Sequence, residues 1–114
     1  MVTPELAPSL SLLVKQQPPW TVVRALGELG WESRAQFDDC LSTVVHQDGQ
    51  ACICLDLSGL EFCDSSGIAC IMRAWRAVSQ RGGQMVLQAP QANLARKLIF
   101  LGLADLLPVV DKLP

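Results

Sequence analysis

The stretch Ala51 to Leu57 constrains the fold more than any other part of this chain. Six of its seven residues are apolar, Asp56 being the exception, and strands buried on both faces read as continuous apolar runs rather than alternating ones. Downstream, Ile68, Ile71, Met72, Trp75 and Val78 recur at the i, i+3, i+4, i+7 spacing of an amphipathic helix closed by Gly82-Gly83, which predicts that Ile71 and Trp75 are buried in the core. Gln84 to Gln88 then returns as a short strand. Strand, helix and strand in that order make a parallel crossover unit, which is right-handed and needs helical cover over a central strand. An α/β fold follows.

The flanking segments complete the expected architecture. Leu10 to Val14 and Trp20 to Leu26 are strand-like runs separated by Gln17-Pro18-Pro19, which predicts an antiparallel pair. Ser33 stands three residues before Gln36, a capping-box signature, and Phe37, Cys40, Leu41, Val44 and Val45 recur at helical spacing. A first helix over about Arg34 to His46 is therefore expected, broken by Asp48-Gly49. Ser58 to Asp64 reads as a loop. Pro90 opens a third helix in which Leu94, Leu98 and Leu101 share a face and Gly102 ends it, and Leu107 to Asp111 offers a last strand. The prediction is one domain over residues 10–114, a mixed four- to five-stranded sheet with helices packed mainly on one face, preceded by a flexible tail over residues 1–9.

Composition narrows the function classes. Half of the 114 residues are apolar and 18% are charged, with a net charge of −2. The chain can bury a core, and it lacks the basic excess that nucleic-acid or anionic-membrane binding usually requires. Neither direct nucleic-acid contact nor a membrane partner is expected. Met1 to Ser9 carries Glu5 but no Lys or Arg, unlike the positive start of a secretory signal. Five cysteines, none spaced C-x-x-C, suggest neither a disulfide framework nor a zinc site, and fit free thiols in a reducing cytoplasm.

The chemistry-bearing segment is Asp56-Leu57-Ser58-Gly59-Leu60-Glu61-Phe62-Cys63-Asp64-Ser65-Ser66-Gly67, which sets two hydroxyls at a helix N-terminus. Free N–H groups and the helix dipole favour negative charge there, so Ser65 or Ser66 could cap the helix, bind an anion or carry a phosphate. Capping alone would also account for the pattern. Cys63 to Gly67 falls one glycine short of the hydrolase elbow G-x-S-x-G, and His46 is the only histidine available as a base. Between Arg34 and Arg73 there is no Lys or Arg, while Asp38, Asp39, Asp48, Asp56, Glu61 and Asp64 all fall there. A phosphate in that interval would meet carboxylates and no sequence-adjacent arginine.

Asp64-Ser65-Ser66-Gly67 after an apolar strand and a Ser-Gly-Leu-x-Phe segment, followed by a helix, a Gly-Gly turn and a strand, resembles the STAS domain of bacterial anti-sigma factor antagonists. Gly27-Glu28-Leu29, Arg81-Gly82-Gly83, Leu101-Gly102-Leu103 and Leu107-Pro108-Val109 extend the likeness from about residue 10 to 111. The resemblance implies a binding switch rather than an enzyme, with no cofactor. Ser65 would be phosphorylated by an anti-sigma factor that is also a serine kinase, and restored by a PP2C-type serine phosphatase. The unmodified form would bind the anti-sigma factor and release the sigma factor. Asp64, Ser65, Ser66, Gly67 and Glu28 are the implied partner contacts. Many members carry aspartate after Gly-Glu-Leu, whereas this chain has Gly30. The alternative within the resemblance is an unphosphorylated scaffold subunit of a lipid-transport ABC complex or a stress-signalling assembly.

Overall fold

The computed structural model describes residues 9–47 and 51–113. Its elements are β1 (Leu10–Gln17), β2 (Trp20–Leu29), α1 (Arg34–Val45), β3 (Cys52–Cys63), α2 (Ser65–Gln80), β4 (Gln84–Gln88), α3 (Ala92–Phe100) and β5 (Val109–Val110). The five strands form one sheet in the order β1-β2-β3-β4-β5. β1 and β2 pair antiparallel from Leu10↔Gly27 to Gln17↔Trp20, and the three remaining pairings are parallel. The mixed sheet with its three helices is the expected α/β architecture. The expected tail over residues 1–9 lies outside the described residues apart from Ser9, as does the Asp48-Gly49 break.

The core follows from strand alternation. Val23 and Ala25 of β2, Ile53, Leu55 and Leu57 of β3, and Met85 and Leu87 of β4 are buried and form one cluster with Phe37, Leu41, Val44 and Val45 of α1 and Ile68, Ile71, Ala74 and Val78 of α2. α1 lies against β1 and β2, and α2 against β3 and β4. Leu94 and Leu98 bring α3 to the same core beside the end of β3. On the other side of the sheet Leu13, Lys15, Val22, Arg24, Asp56 and Gln88 line an open groove crossed by Lys112 and Leu113.

Four local expectations need correction. β3 does not stop at Leu57: it continues to Cys63 because β2 itself runs on to Leu29 and offers partners as far as Leu29↔Cys63. The ladder absorbs register shifts between Arg24 and Leu26 and between Gly27 and Glu28, so the Ser58–Asp64 segment is mostly bulged strand, not loop. The capping box at Ser33 is absent. The Ser33 hydroxyl donates to the Glu28 carbonyl and accepts from the Gly30 N–H, while the Gln36 amide crosses to the Leu10 carbonyl at 2.8 Å.

Leu101 does not share the buried face of Leu94 and Leu98. α3 ends at Phe100, Gly102 takes a positive φ of 74°, and Leu103 N–H returns to the Leu98 carbonyl, leaving Leu101 exposed. The fourth correction concerns Trp75, expected in the core, which is only half-buried against it, whereas Ile71 is fully buried.

Candidate functional site

The site is where the C-terminal ends of β2 and β3 deliver their chains to α2. Leu29 and Cys63 are the last paired residues of the two strands, and the Asp64 N–H still reaches the Leu29 carbonyl at 3.3 Å. Asp64 then leaves the sheet in an extended conformation, φ −90° and ψ −173°. Its carboxylate accepts the Gly67 N–H at 2.9 Å, and its carbonyl accepts the Ile68 N–H. Asp64 is therefore the helix N-cap, and the capping role considered for Ser65 or Ser66 is taken from both. These bonds account for the N–H groups of Asp64 and Gly67, and leave those of Ser65 and Ser66 in the first turn without an intrahelical partner. Ser65 is exposed and Ser66 partly so.

Gly67 shows why the motif ends in glycine. A Cβ there would strike the Leu29 carbonyl oxygen and come within 2.7 Å of the Cys63 sulfur. The first turn of α2 is thus seated directly on the strand ends, which fixes the direction in which Ser65 points into solvent. Burial, and after it the Asp64 charge, pushes the Cys63 thiol up to about 12, so this sulfur is packing material rather than a nucleophile. Burial likewise raises Cys54 and Cys70 to about 11. All five cysteines are free.

Beside Asp64 a groove of about 410 Å3 is lined by Leu10, Glu28, Gly30, Trp31, Glu32 and Phe62, among others. Gly30 helps to shape it, since a Cβ at that position would lie 2.8 Å from an Asp64 carboxylate oxygen. The aspartate that many relatives in the resemblance carry there would bring a second carboxylate against the first. Here the position is empty of side chain, and the groove is faced instead by two exposed aromatics, Trp31 and Phe62, at 64% and 48% exposure. Arg34 stacks on the Trp31 ring at 3.5 Å and donates to the Trp31 carbonyl at 2.9 Å, which steadies the indole. Glu28 lines the same groove as Asp64, so the structure brings these two expected contacts together.

Trp31, which the sequence alone leaves open between core and partner contact, stands on the rim of this groove. Sequence reasoning missed two further members of this neighbourhood. Phe62, read as part of a loop, lies in β3. Lys97 comes from α3, 34 residues away, to donate to the Cys63 carbonyl at 2.9 Å, and its ammonium stands 5.6 Å from the Phe62 ring centre. No local signal marks Lys97, because only the fold brings α3 to the end of β3.

The acidic interval also divides in space. Asp38 pairs with Arg73 at 2.9 Å, and Asp56 lies near Arg24 at 3.9 Å on the opposite side of the sheet, where it also accepts from Ser58. His46 bonds the Ser42 carbonyl and sits by Ala74 and Ala77, far along α2 from Ser65, so no histidine base is brought to the serine. Among the described residues no three His, Cys, Asp or Glu side chains gather as a metal site, and no helix is long and apolar enough to cross a membrane.

Comparison with known proteins agrees with this geometry. The family model described as "Mlab, STAS domain" matches residues 12–108. An anti-sigma F factor antagonist of Paenibacillus polymyxa is 30% identical over 94 residues, covering 79% of this chain and 77% of that protein. In fold, the chain superposes on the anti-sigma factor antagonist SpoIIAA in its unphosphorylated form with a TM-score of 0.75 at 22% identity, over 90% of each chain. It also superposes on the Bacillus cell fate determinant SpoIIAA in the phosphorylated form, with a TM-score of 0.70 at 23% identity over 90% of this chain and 93% of that one. With a family match spanning most of its length and a relative at this identity, the chain belongs to the STAS domain family, and its fold is that of the anti-sigma factor antagonists.

Proposed function

We propose that this protein is an anti-sigma factor antagonist whose binding is switched at Ser65. In this reading the unmodified protein is a cytoplasmic, non-enzymatic module that binds an anti-sigma factor serine kinase and releases the sigma factor. Phosphorylation of Ser65 abolishes that binding, and a PP2C-type phosphatase restores it. The observation that carries the reading is the exposed Ser65 directly after the N-cap Asp64, on a helix turn anchored to the sheet by Gly67.

The chemistry of the turn suits a reversible modification. A phosphate on Ser65 meets the free N–H groups of Ser65 and Ser66 and the positive end of the α2 dipole, so the modified monomer keeps its fold. It also adds about −1.5 to −2 of charge next in sequence to Asp64, which lines a groove with Glu28 and Glu32. At a packed interface that dianion must be desolvated beside carboxylates, which opposes association. Lys97, held at the Cys63 carbonyl, and Arg34, stacked on Trp31, are the basic groups that the described residues bring to this neighbourhood.

Incubation with candidate kinase, ATP and Mg²⁺, followed by mass spectrometry of the peptide spanning Ser65, tests the assignment. Ser65→Ala should abolish phosphate incorporation and retain partner binding, whereas Ser66→Ala should still be phosphorylated. Incorporation into Ser65→Ala at the usual rate, with loss in Ser66→Ala, would exchange the roles. A second reading, an unphosphorylated scaffold subunit, has one observation on its side: the matching family model is described as "Mlab, STAS domain" rather than as an antagonist. Wild-type protein that binds its partner equally well before and after exhaustive kinase treatment would favour that reading.

A further inference from the structure

We propose that the outer edge of β1 is a self-association surface, on which a second copy of this chain pairs antiparallel about a two-fold axis at Val14. The argument starts from β1's place at the edge of the sheet and from an unbroken eight-residue ladder with β2. The Glu28 N–H bonds the Ser9 carbonyl at 3.0 Å, which marks Ser9↔Glu28 as a hydrogen-bonded pair. Antiparallel pairs alternate, so Ser11, Leu13, Lys15 and Gln17 also direct their backbone groups inward to β2. Leu10, Leu12, Val14 and Gln16 direct theirs outward.

The Gln36 side chain confirms the alternation, because the carbonyl it reaches is that of Leu10. It also caps that end of the edge. At the other end Pro18 and Pro19 make the turn and bring no N–H. Between these stops lie Leu12, Val14 and Gln16, with three N–H and three carbonyl groups directed outward that find no hydrogen-bond partner among the described residues.

A two-fold axis at Val14 pairs all six. Val14 faces the partner's Val14, Leu12 faces the partner's Gln16, and Gln16 faces the partner's Leu12; each of the three pairs exchanges two hydrogen bonds. The neighbouring registers fail. An axis at Leu13 sets the already bonded Leu10 carbonyl against the partner's Gln16, and an axis at Lys15 sets Leu12 against the partner's Pro18 and Lys15 against the partner's Lys15.

The side chains agree with the same register. β1 carries one charge, Lys15, and edge lysines commonly discourage pairing. Here Lys15 falls opposite the partner's Leu13, so the two ammonium groups are not juxtaposed and each aliphatic stem lies along a leucine that is 55% exposed in the monomer. Val14, 47% exposed, packs against its own symmetry mate. The contact is a single strand pair, below the usual size of a tight interface, so it forms in a concentration-dependent way.

Sedimentation equilibrium over a concentration series, with hydrogen exchange read by NMR, tests the inference. The average mass should rise with concentration from the 12.4 kDa of one chain towards twice that, and the amides of Leu12, Val14 and Gln16 should gain protection in step. Val14→Pro removes an outward N–H, which an edge strand tolerates. Val14→Lys sets like charges opposite each other and leaves the backbone unaltered, so it serves even where the proline variant folds poorly. Each should weaken dimerisation at least about tenfold. A wild-type protein that stays monomeric to about 1 mM overturns the proposal. So does a dimer in which those three amides exchange as in the monomer, or which both variants leave unchanged.

Discussion

At the scale of single residues, the site depends on atoms that are missing as much as on atoms present. Gly67 lets α2 start in contact with the Leu29 carbonyl and the Cys63 sulfur, and Gly30 leaves space beside Asp64. Gly67→Ala forces backbone or a buried thiol to move, and should destabilise the protein by about 1–3 kcal/mol as overpacking does. Urea unfolding measures it, and a loss below about 0.5 kcal/mol would mean that the turn relaxes freely. The Asp-Ser-Ser-Gly order and its position before a helix were legible in the sequence. Which residue caps was not, because Asp, Ser and Ser are all good N-caps and only the extended backbone at Asp64 selects among them. The same limit hid the role of Ser33: its hydroxyl had a choice between the helix and the Glu28 carbonyl, and the path of the chain after β2 decided it.

At the scale of elements, periodicity was the dependable guide. The α2 spacing places Ile71 fully in the core, and β4 has the bounds expected from its sequence. What the pattern could not convey was how far a strand runs once it has a partner: Ser58-Gly59 reads as a turn in isolation, yet the extension of β2 to Leu29 draws β3 on to Cys63. That extension matters for the site, since it carries Phe62 and Asp64 to the groove occupied by Glu28. Trp75 shows the other limit, because helical spacing identifies a face but not how completely neighbouring elements cover it. Ile71→Ala should cost about 2–5 kcal/mol. Trp75→Ala, truncating a half-buried ring, should cost less, about 1–3 kcal/mol. Denaturant melts that rank Trp75 above Ile71 would show that the indole carries more of the α2 contact than its exposure implies.

At the scale of the whole molecule, charge summed along the chain and charge arranged in space differ, and the difference shapes how a partner would be met. The acidic interval suggested one negative surface around Ser65, but Asp38 and Asp56 are drawn to Arg73 and Arg24. The carboxylates that line the groove are instead Glu28, Glu32 and Asp64, and two of the three lie at or before Asp38 in the chain. Such a surface attracts a basic partner, and association should slow as salt rises. A phosphate on Ser65 increases the same long-range attraction, so loss of binding has to arise at contact, where an unpaired dianion beside Asp64 is desolvated. Ser65→Asp should accordingly weaken binding to the anti-sigma factor chiefly by faster dissociation, with the association rate unchanged or slightly raised. Surface plasmon resonance at two salt concentrations separates the terms. A collapsed association rate with unaltered dissociation, or a wild-type association rate indifferent to salt, would show that the groove's carboxylates do not steer the partner and that the switch works by another route.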